Sequence, residues 1–260
     1  MGDGEKQYLY YDDSILLKRL SLYPYVQLGV MVLFVLIVYF ALISTKKAEQ
    51  NKVWVGLSKE TAHQLGTPIS SLMAWMDLLE SSGVDPSLLS DMNKDVNRLS
   101  VIAERFSKIG SKPEMELIYV NEVLENATEY MRRRVSDKVL ITTHLPSDAE
   151  GAMVCLSLFE WVIENLCKNA VDAMNGEGRI DVYMTSEKQQ IYIDIKDTGK
   201  GIARKNFKTV FNPGYTTKKR GWGLGLTLAK RIIEDYHAGR IYVKDSEVGK
   251  GTIFRIELKR

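Results

Sequence analysis

The sequence predicts an α+β protein built from one transmembrane helix, an antiparallel helical hairpin and a C-terminal α/β sandwich. Three observations predict this: an uncharged apolar run near the N-terminus, two segments with heptad spacing of apolar residues, and mixed strand and helix patterns beyond them. The expected parts are a short extracytoplasmic segment (1–24), a transmembrane helix (25–44), a helical dimerisation domain (45–112) and an α/β domain (113–260).

The overall composition is that of a folded protein without a strong charge bias. Of the 260 residues 45% are hydrophobic, and 35 basic residues nearly balance 33 acidic ones. This balance gives no indication of nucleic-acid binding, and we expect no nucleic-acid partner. The two cysteines, Cys155 and Cys167, have apolar neighbours and no CxxC spacing, which predicts buried, reduced thiols in a cytosolic compartment.

Residues 25–43 form a run of 19 residues without a charged side chain. At a helical rise of about 1.5 Å per residue, such a run can cross a hydrocarbon core of about 30 Å. A buried core helix is the alternative, but the neighbouring sequence is not amphipathic enough to bury one. Aromatic residues suited to the membrane interfaces lie near both ends: Tyr23, Tyr25, Tyr39 and Phe40.

The next segment reads as a helical hairpin whose two helices carry narrow apolar seams. Gly83 suits the end of the first helix, Asp85 an N-cap, and Pro86 the first residue of the second. Because two such seams cannot enclose a core alone, we expect a homodimer that forms a four-helix bundle. The seam residues are Leu65, Ile69, Leu72, Met76 and Leu79, then Leu89, Met92, Val96, Leu99, Ala103 and Phe106. Lys112–Pro113 is the expected linker.

A histidine in the first helix is followed closely by two helix-disfavouring residues. Pro68 lacks an N–H group and clashes with the preceding turn, and Gly66 adds local softness, so we expect the helix to bend just beyond His63. A bend there would present the imidazole to a partner. The alternative is a lone surface histidine on a kinked helix.

The remaining chain predicts a mixed sheet with helices on one face. Asn121 is the expected cap of a helix reaching about residue 134, and Ser157 with Glu160 forms a predicted capping box for a helix to Met174. A further helix is expected over 224–237. The predicted strands are ELIYV (116–120), KVLITTHL (138–145), RIDVYMTS (179–186), QIYIDIKD (190–197), GRIYVKD (239–245) and GTIFRIEL (251–258).

Four polar or glycine-rich clusters lie in this domain. Asn165 and Asn169 are one turn apart on one helix face, and their amide oxygens could ligate Mg²⁺. DTGKGI (197–202) follows a strand, and its glycines allow close backbone approach to a ligand. FNPGYTTKKR (211–220) has the hydroxyls and cations of a phosphate-covering loop. GWGLGL (221–226) opens a helix, where backbone N–H groups attract anions. Each cluster alone has an ordinary reading, as solvated side chains or turns.

In this order and spacing the clusters resemble the N, G1, F and G2 boxes of the ATP-binding domain of sensor histidine kinases. This Bergerat fold is shared with the gyrase, Hsp90 and MutL ATPases. HQLGTP (63–68) resembles the H box of the dimerisation and phosphotransfer domain. The resemblance therefore covers residues 46–260 and implies a two-component kinase that uses ATP and Mg²⁺.

The resemblance implies roles for individual residues. His63 accepts the γ-phosphoryl group, and Thr67 helps water to dephosphorylate a bound response regulator. Gln64 stands where relatives often have an acidic residue, so the proton acceptor is unassigned, with Glu60 a weak candidate. Asn169, with Asn165, holds the metal. The nucleotide contacts are Asn165, Asn169, Asp172, Asp197, Gly199, Gly201, Ile202, Thr216, Thr217, Lys218, Gly221, Gly223, Leu224 and Gly225.

The predicted function is thus a single-pass kinase of the cytoplasmic membrane, with its catalytic domain in the cytoplasm. Its phosphoryl acceptor would be a response-regulator receiver domain acting in trans. Asn165 occupies a place where hydrolysing relatives have a glutamate, and an amide cannot activate water, which favours transfer to His63 over hydrolysis. Two alternatives remain: a Bergerat-fold ATPase clamp, and a degenerate kinase that acts as a scaffold or phosphatase.

Overall fold

The computed structural model describes residues 15–109, 111, 113–218 and 223–260. The chain divides into two compact units after Gly56. Helix α1 (Ile15–Ser81) begins in the first unit, where Leu22–Thr45 is long and apolar enough to cross a membrane and contains no buried residue. The predicted helix at 25–44 is therefore confirmed as a helix, and its insertion in a membrane stays a prediction.

The end of α1 and helix α2 (Pro86–Ile109) form the predicted hairpin. Gly83 has a φ of +78°, the left-handed conformation that ends a helix. Asp85 Oδ1 accepts a hydrogen bond from the Ser87 N–H at 2.9 Å, so the predicted N-cap is confirmed. Helix α1 continues through Gly66 and Pro68, and the bend at Pro68 stays a prediction.

The apolar seam of the hairpin is buried along one side only. Ile69 and Met76 of α1 pack in one cluster with Val96 and Ala103 of α2, and Leu65 packs against that cluster. The alternating seam residues Leu72, Met92 and Leu99 remain 41–45% exposed. Two helices can bury only the face they share, so the uncovered residues are the ones that a second hairpin would cover.

The α/β domain has a five-stranded sheet in the order β2-β4-β5-β7-β6, in which only β2 and β4 run parallel. A two-stranded sheet, β1 with β3, lies apart. The strands are β1 (Glu116–Tyr119), β2 (Val139–His144), β3 (Gly151–Val154), β4 (Gly178–Glu187), β5 (Gln190–Asp197), β6 (Arg240–Glu247) and β7 (Gly251–Lys259). The helices are α3 (Val120–Arg132), α4 (Leu156–Ala173) and α5 (Gly225–Arg231), which continues as a π turn (Ile232–Tyr236).

The sheet buries one face under α4 and its neighbours, as predicted. Alternate residues of β4 and β5, including Ile180, Val182, Ile193 and Ile195, are at most 1% exposed. Strand alternation at period two places all of them on the same face. This layer fixes α4 against the sheet and so positions the polar residues along its other side.

Two predicted helix starts are wrong. Asn121 lies inside α3, and its side chain binds the loop before β3: it donates to Pro146 O and Asp148 O and accepts from the Glu150 N–H. Ser157 lies inside α4 and accepts a hydrogen bond from Lys108 Nζ, so no capping box forms. In both cases the side chain bonds to a residue distant in the sequence and does not cap its own helix. Strand β3 was not predicted, because its four residues carry too short a pattern.

Helix α2 packs on the α/β domain through polar contacts. Arg105 makes a two-pronged ion pair with Glu164 of α4, at 2.9 and 3.1 Å. Lys108 bonds to Ser157, and the Tyr236 hydroxyl donates to Ile109 O. The predicted linker lies just beyond these contacts, and Lys112 falls outside the described residues. The contacts attach the α/β domain to the second helix of the hairpin.

His237 joins the end of the π turn to the start of α4. Its Nδ1–H donates to Ile232 O at 2.8 Å, and its Nε2 accepts the Cys155 N–H at 3.0 Å. The ring is 6% exposed. Burial lowers the pKa of His237 below its usual value. Only the neutral imidazole can make both bonds, because protonated Nε2 cannot accept.

We expect acidification to destabilise this domain through His237. The unfolded histidine takes up a proton near pH 6.5 while the folded one resists it, so stability is full above that pH and falls below it, by up to about 1.4 kcal/mol per pH unit. Thermal unfolding at pH 7.5 and 5.5 should show this loss, and His237→Gln should remove most of it. His144→Gln, at an exposed histidine, is the control; an unchanged pH dependence in His237→Gln would refute the assignment.

Candidate functional site

One face of α4 carries three polar side chains spaced four and three residues apart: Asn165, Asn169 and Asp172. The helix buries its other face, so these side chains point away from the core. Among the described residues, the Nδ2 atoms of Asn165 and Asn169 are buried without a hydrogen-bond partner. Buried amide groups are normally satisfied, so these two indicate a place where a polar ligand completes the bonding.

The glycine-rich turn after β5 is held tightly against the end of α4. Asp197 is 3% exposed, and its carboxylate accepts the Gly199 N–H at 2.8 Å. Burial raises the pKa of Asp197 above its usual value, although backbone hydrogen bonds from Gly199 and Thr252 oppose the shift. The Lys200 N–H donates to Ala173 O, the last residue of α4. The turn therefore places a buried carboxylate near the C-terminal end of α4.

Two glycines of that turn have no room for a side chain. A Cβ at Gly201 would lie 2.1 Å from Glu247 O, and Gly201 has a φ of +72°. A Cβ at Gly199 would lie 2.8 Å from the backbone of Ala173. Ile202 donates its N–H to Ser246 Oγ at 2.7 Å. These contacts fix the turn between α4 and the β6–β7 connection.

Residues 215–218, here called the strap, reach back to the site. Lys218 Nζ lies 2.9 Å from Asn169 Oδ1 and 2.6 Å from Asp172 Oδ2. Thr217 Oγ1 accepts a hydrogen bond from Lys200 Nζ at 2.9 Å, and Thr216 Oγ1 accepts the Lys218 N–H. Lys200 was not predicted as a site residue, although its place inside the glycine-rich motif was a usable signal. Lys219, Arg220, Gly221 and Trp222 lie outside the described residues.

The start of α5 closes the site on another side. A Cβ at Gly225 would lie 2.5 Å from Asn165 Oδ1, so the helix start approaches that amide closely. Gly223 has a φ of +65°, and a Cβ there would meet the backbone of Gly214 at 2.5 Å. Leu224 lies between them and immediately precedes the helix. The structure thus brings the described members of all four clusters around the exposed face of α4.

The predicted phosphotransfer residues lie elsewhere, on α1. His63, Gln64 and Thr67 are exposed, and none of the contacts described above reaches them. Gln64 Nε2 donates to Glu60 Oε1 at 2.7 Å, and Thr67 Oγ1 lies 3.4 Å from the carbonyl oxygen of His63. The chain therefore carries two separate candidate sites, a cluster of polar side chains on α4 and an exposed imidazole on the hairpin.

The donor atoms at α4 fit a ligand that carries phosphates and a hard cation. Within the described part of the chain, no cluster of three or more His, Cys, Asp or Glu side chains could hold a metal alone. Amide oxygens from Asn165 and Asn169 can supply part of a Mg²⁺ shell, and Mg²⁺ commonly completes it with water and substrate phosphates. The ammonium groups of Lys200 and Lys218 could supply positive charge for such phosphates.

Residues 156–260 match the family of histidine kinase-, DNA gyrase B- and HSP90-like ATPases. The match encloses every cluster around α4. The α/β domain is a Bergerat-type ATPase domain. Its resemblance to the catalytic domain of sensor histidine kinases, predicted from the four boxes, is confirmed.

The similarity to other kinases extends beyond the ATPase domain into the hairpin. Sporulation kinase E of Bacillus subtilis (strain 168) is 29% identical over 220 residues, which is 82% of this chain but 29% of that kinase. Full-length ShkA in complex with AMPPNP has a TM-score of 0.60 at 20% identity, covering 78% of this chain and 45% of ShkA. ThkA in complex with the response regulator TrrA has a TM-score of 0.54 at 19% identity, covering 82% of this chain and 64% of that one.

These comparisons show the fold and a relationship to histidine kinases, but the matched proteins are longer than this chain. The chain spans 29% and 36% of the length of the first two sporulation kinases that it matches. The two solved structures are below 25% identity and support the shared architecture of hairpin and ATPase domain. AMPPNP is bound by ShkA and TrrA by ThkA.

Proposed function

We propose that this protein is an ATP-dependent protein-histidine kinase. It autophosphorylates His63 and passes the phosphoryl group to an aspartate of a separate response regulator. The observation that carries the proposal is the conjunction, on one chain, of an ATPase-family site built on Asn165, Asn169 and Asp197 with an exposed histidine on a helical hairpin. The complexes of ShkA with AMPPNP and ThkA with TrrA support the nucleotide and the partner.

In this proposal the site holds ATP by its two ends. The buried carboxyl group of Asp197 accepts a hydrogen bond from the exocyclic amine of adenine. Asn169, with Asn165, holds Mg²⁺ next to the phosphates, and the metal supplies neutralisation of phosphate charge. Thr216, Thr217 and Lys218 of the strap approach the terminal phosphate of ATP as hydrogen-bond donors. The backbone at Gly223–Gly225 offers further N–H groups, and Gly221 stays a predicted contact.

The transfer itself requires a nucleophile and the release of one proton. A ring nitrogen of neutral His63 forms the new N–P bond, the bond from the γ-phosphorus to the bridging oxygen breaks, and ADP leaves with that electron pair. Gln64 cannot act as a base. Its amide donates to Glu60 Oε1 at 2.7 Å, and this carboxylate lies one helical turn before the histidine. We propose Glu60 as the final acceptor of the imidazole proton.

The proposal places the kinase in the cytoplasmic membrane as a homodimer. The exposed seam residues Leu72, Met92 and Leu99 supply the surface that a second hairpin covers in a four-helix bundle. The apolar stretch Leu22–Thr45 anchors the chain, with the ATPase domain on the cytoplasmic side, where ATP and the response regulator are found. The boundaries 1–24, 25–44, 45–112 and 113–260 belong to this proposal.

A labelling experiment tests the function against its rivals. The protein is incubated with γ-labelled ATP and Mg²⁺, and we expect a protein-bound label that is labile to acid and stable to alkali and that is absent in His63→Ala. An ATPase clamp would instead give steady phosphate release without such a label. A scaffold would bind nucleotide and give neither result. Either outcome would contradict the kinase.

A phosphatase activity toward the regulator is a second proposed function, based on Thr67. This hydroxyl is exposed one turn after His63, and its long contact of 3.4 Å to the His63 carbonyl leaves it free to reorient toward a water molecule.

We expect Thr67→Ala to retain autophosphorylation and to slow the dephosphorylation of the phosphorylated regulator by about tenfold or more, because the variant cannot orient the attacking water. The measurement is the decay of labelled regulator with and without the kinase. Ser70→Ala, which removes another exposed hydroxyl bonded to the preceding turn, is the control. An unchanged decay rate in Thr67→Ala would exclude this role.

A further inference from the structure

The strap places a cation on the same oxygens that the proposed function assigns to the metal side of the site. Lys218 Nζ lies between Asn169 Oδ1, at 2.9 Å, and Asp172 Oδ2, at 2.6 Å. The buried Nδ2 of Asn169 has no partner among the described residues, so the ammonium is what orients this amide. Its oxygen is thereby turned toward a positive charge.

We propose that Lys218 is an internal cation that competes with the nucleotide-bound divalent metal for Asn169, and that Asp172 serves as its anchor. Binding of a metal–nucleotide then displaces the ammonium and releases the strap from α4. The inference rests on the proposed function, since it takes Mg²⁺ with a nucleoside di- or triphosphate as the ligand. It assigns Asp172 to the strap and leaves the metal to the amides.

Charge repulsion prevents the Lys218 ammonium and a divalent metal ion from binding Asn169 at the same time. A divalent ion bound to Asn169 Oδ1 would stand only a few ångströms from the ammonium, and like charges at such distances repel strongly near a protein surface. A carboxylate two-fifths exposed holds the lysine only loosely, because solvent screens the pair. The ammonium can therefore leave, and its long side chain can turn toward the place of the terminal phosphate, which ADP lacks.

A second contact, between Thr217 and Lys200, links the displacement of the Lys218 ammonium to a movement of the whole strap. Thr217, the neighbour of Lys218, is tied to Lys200 in the turn that also carries Gly199 and Gly201. Two adjacent strap residues are thus fixed at two places, the face of α4 and the turn after β5. Losing the Lys218 contact leaves the strap attached on one side only, through an exposed hydrogen bond.

The test uses Mn²⁺ with ADP as the probe, on the full chain in detergent, with binding followed by calorimetry. We expect Lys218→Met to bind Mn·ADP about tenfold more tightly, if the lysine occupies the site about nine-tenths of the time. Binding of ADP in the presence of a chelator should not strengthen. Lys205→Met, at an exposed lysine of a short 3₁₀ turn (Arg204–Asn206), should match the wild type.

Hydrogen exchange supplies a readout independent of affinity. In the wild type, adding Mn·ADP should speed deuterium uptake at residues 215–218, and in Asp172→Asn that uptake should be fast before any addition. If Lys218→Met weakens Mn·ADP and metal-free ADP alike, the lysine is a phosphate ligand only and the competition is wrong. If the wild type binds no Mn·ADP, the proposed function fails together with this inference.

Discussion

An Asn169→Ala variant is expected to form phosphohistidine at least about 100-fold more slowly than the wild type, with its folding stability nearly unchanged. The amide is half-buried, and its oxygen accepts a hydrogen bond from the side chain of Lys218. The substitution removes no apolar contact from the core, but it removes the amide oxygen that would hold the metal beside the phosphates. The initial rate of γ-labelled autophosphorylation, at saturating ATP, measures the effect.

The matched control replaces a surface amide by the same methyl group. Gln189 is exposed in the β4–β5 turn, at the opposite end of that hairpin from Asp197, so Gln189→Ala should keep the wild-type rate. Circular dichroism and thermal unfolding should show both variants folded. Retention of more than about a tenth of the activity in Asn169→Ala would remove Asn169 from the metal site.

Gly201→Ala is expected to be the most damaging substitution of a single glycine in the site. Its φ of +72° disfavours any side chain, and the new Cβ would meet Glu247 O at 2.1 Å, against backbone that is fixed by the sheet. The two effects together should cost about 3 kcal/mol. For a domain of this size that corresponds to a fall in Tm of about 6–12 °C. Nucleotide affinity should fall with it, because the turn also carries Asp197.

Gly249→Ala separates the two causes. Gly249 has a φ of +85° but no atom within 4 Å of a Cβ position, so this variant suffers the conformational effect alone, about 1 kcal/mol. We expect its Tm to lie between those of the wild type and Gly201→Ala. Equal losses in the two variants would show that the contact with Glu247 does not limit the turn.

The periodic spacing of apolar residues predicted most of the helices and strands, because burial of one face requires that spacing. The alternation in 179–186 and 190–197 gave neighbouring antiparallel strands, and Gly83, Asp85 and Pro86 gave the hairpin turn. The structure brings the polar clusters together at α4, where Lys218 bonds to Asn169 and Gly225 lies against Asn165, and the roles of these residues stay predictions. The prediction rested on the combination of four clusters in one order along the chain, not on any one spacing.

Contacts between distant segments explain what the sequence did not predict. His237 and Cys155 are joined by a hydrogen bond across 82 positions of the chain, and that bond sets the start of α4 in place of the expected capping box. The ion pair of Arg105 with Glu164 likewise joins a seam helix to the ATPase domain. Local patterns carry no information on such pairs, so they became visible only once the chain was folded.

The central claim is that the site on α4 holds Mg·ATP and delivers its terminal phosphate to His63. The most direct measurement is tandem mass spectrometry, at neutral to alkaline pH, of the peptide containing residues 60–94 after incubation of the full chain with Mg·ATP. The account predicts a phosphoryl group on His63, and none in an Asn169→Ala sample treated identically. A peptide that stays unmodified while ATP is bound and turned over would contradict it.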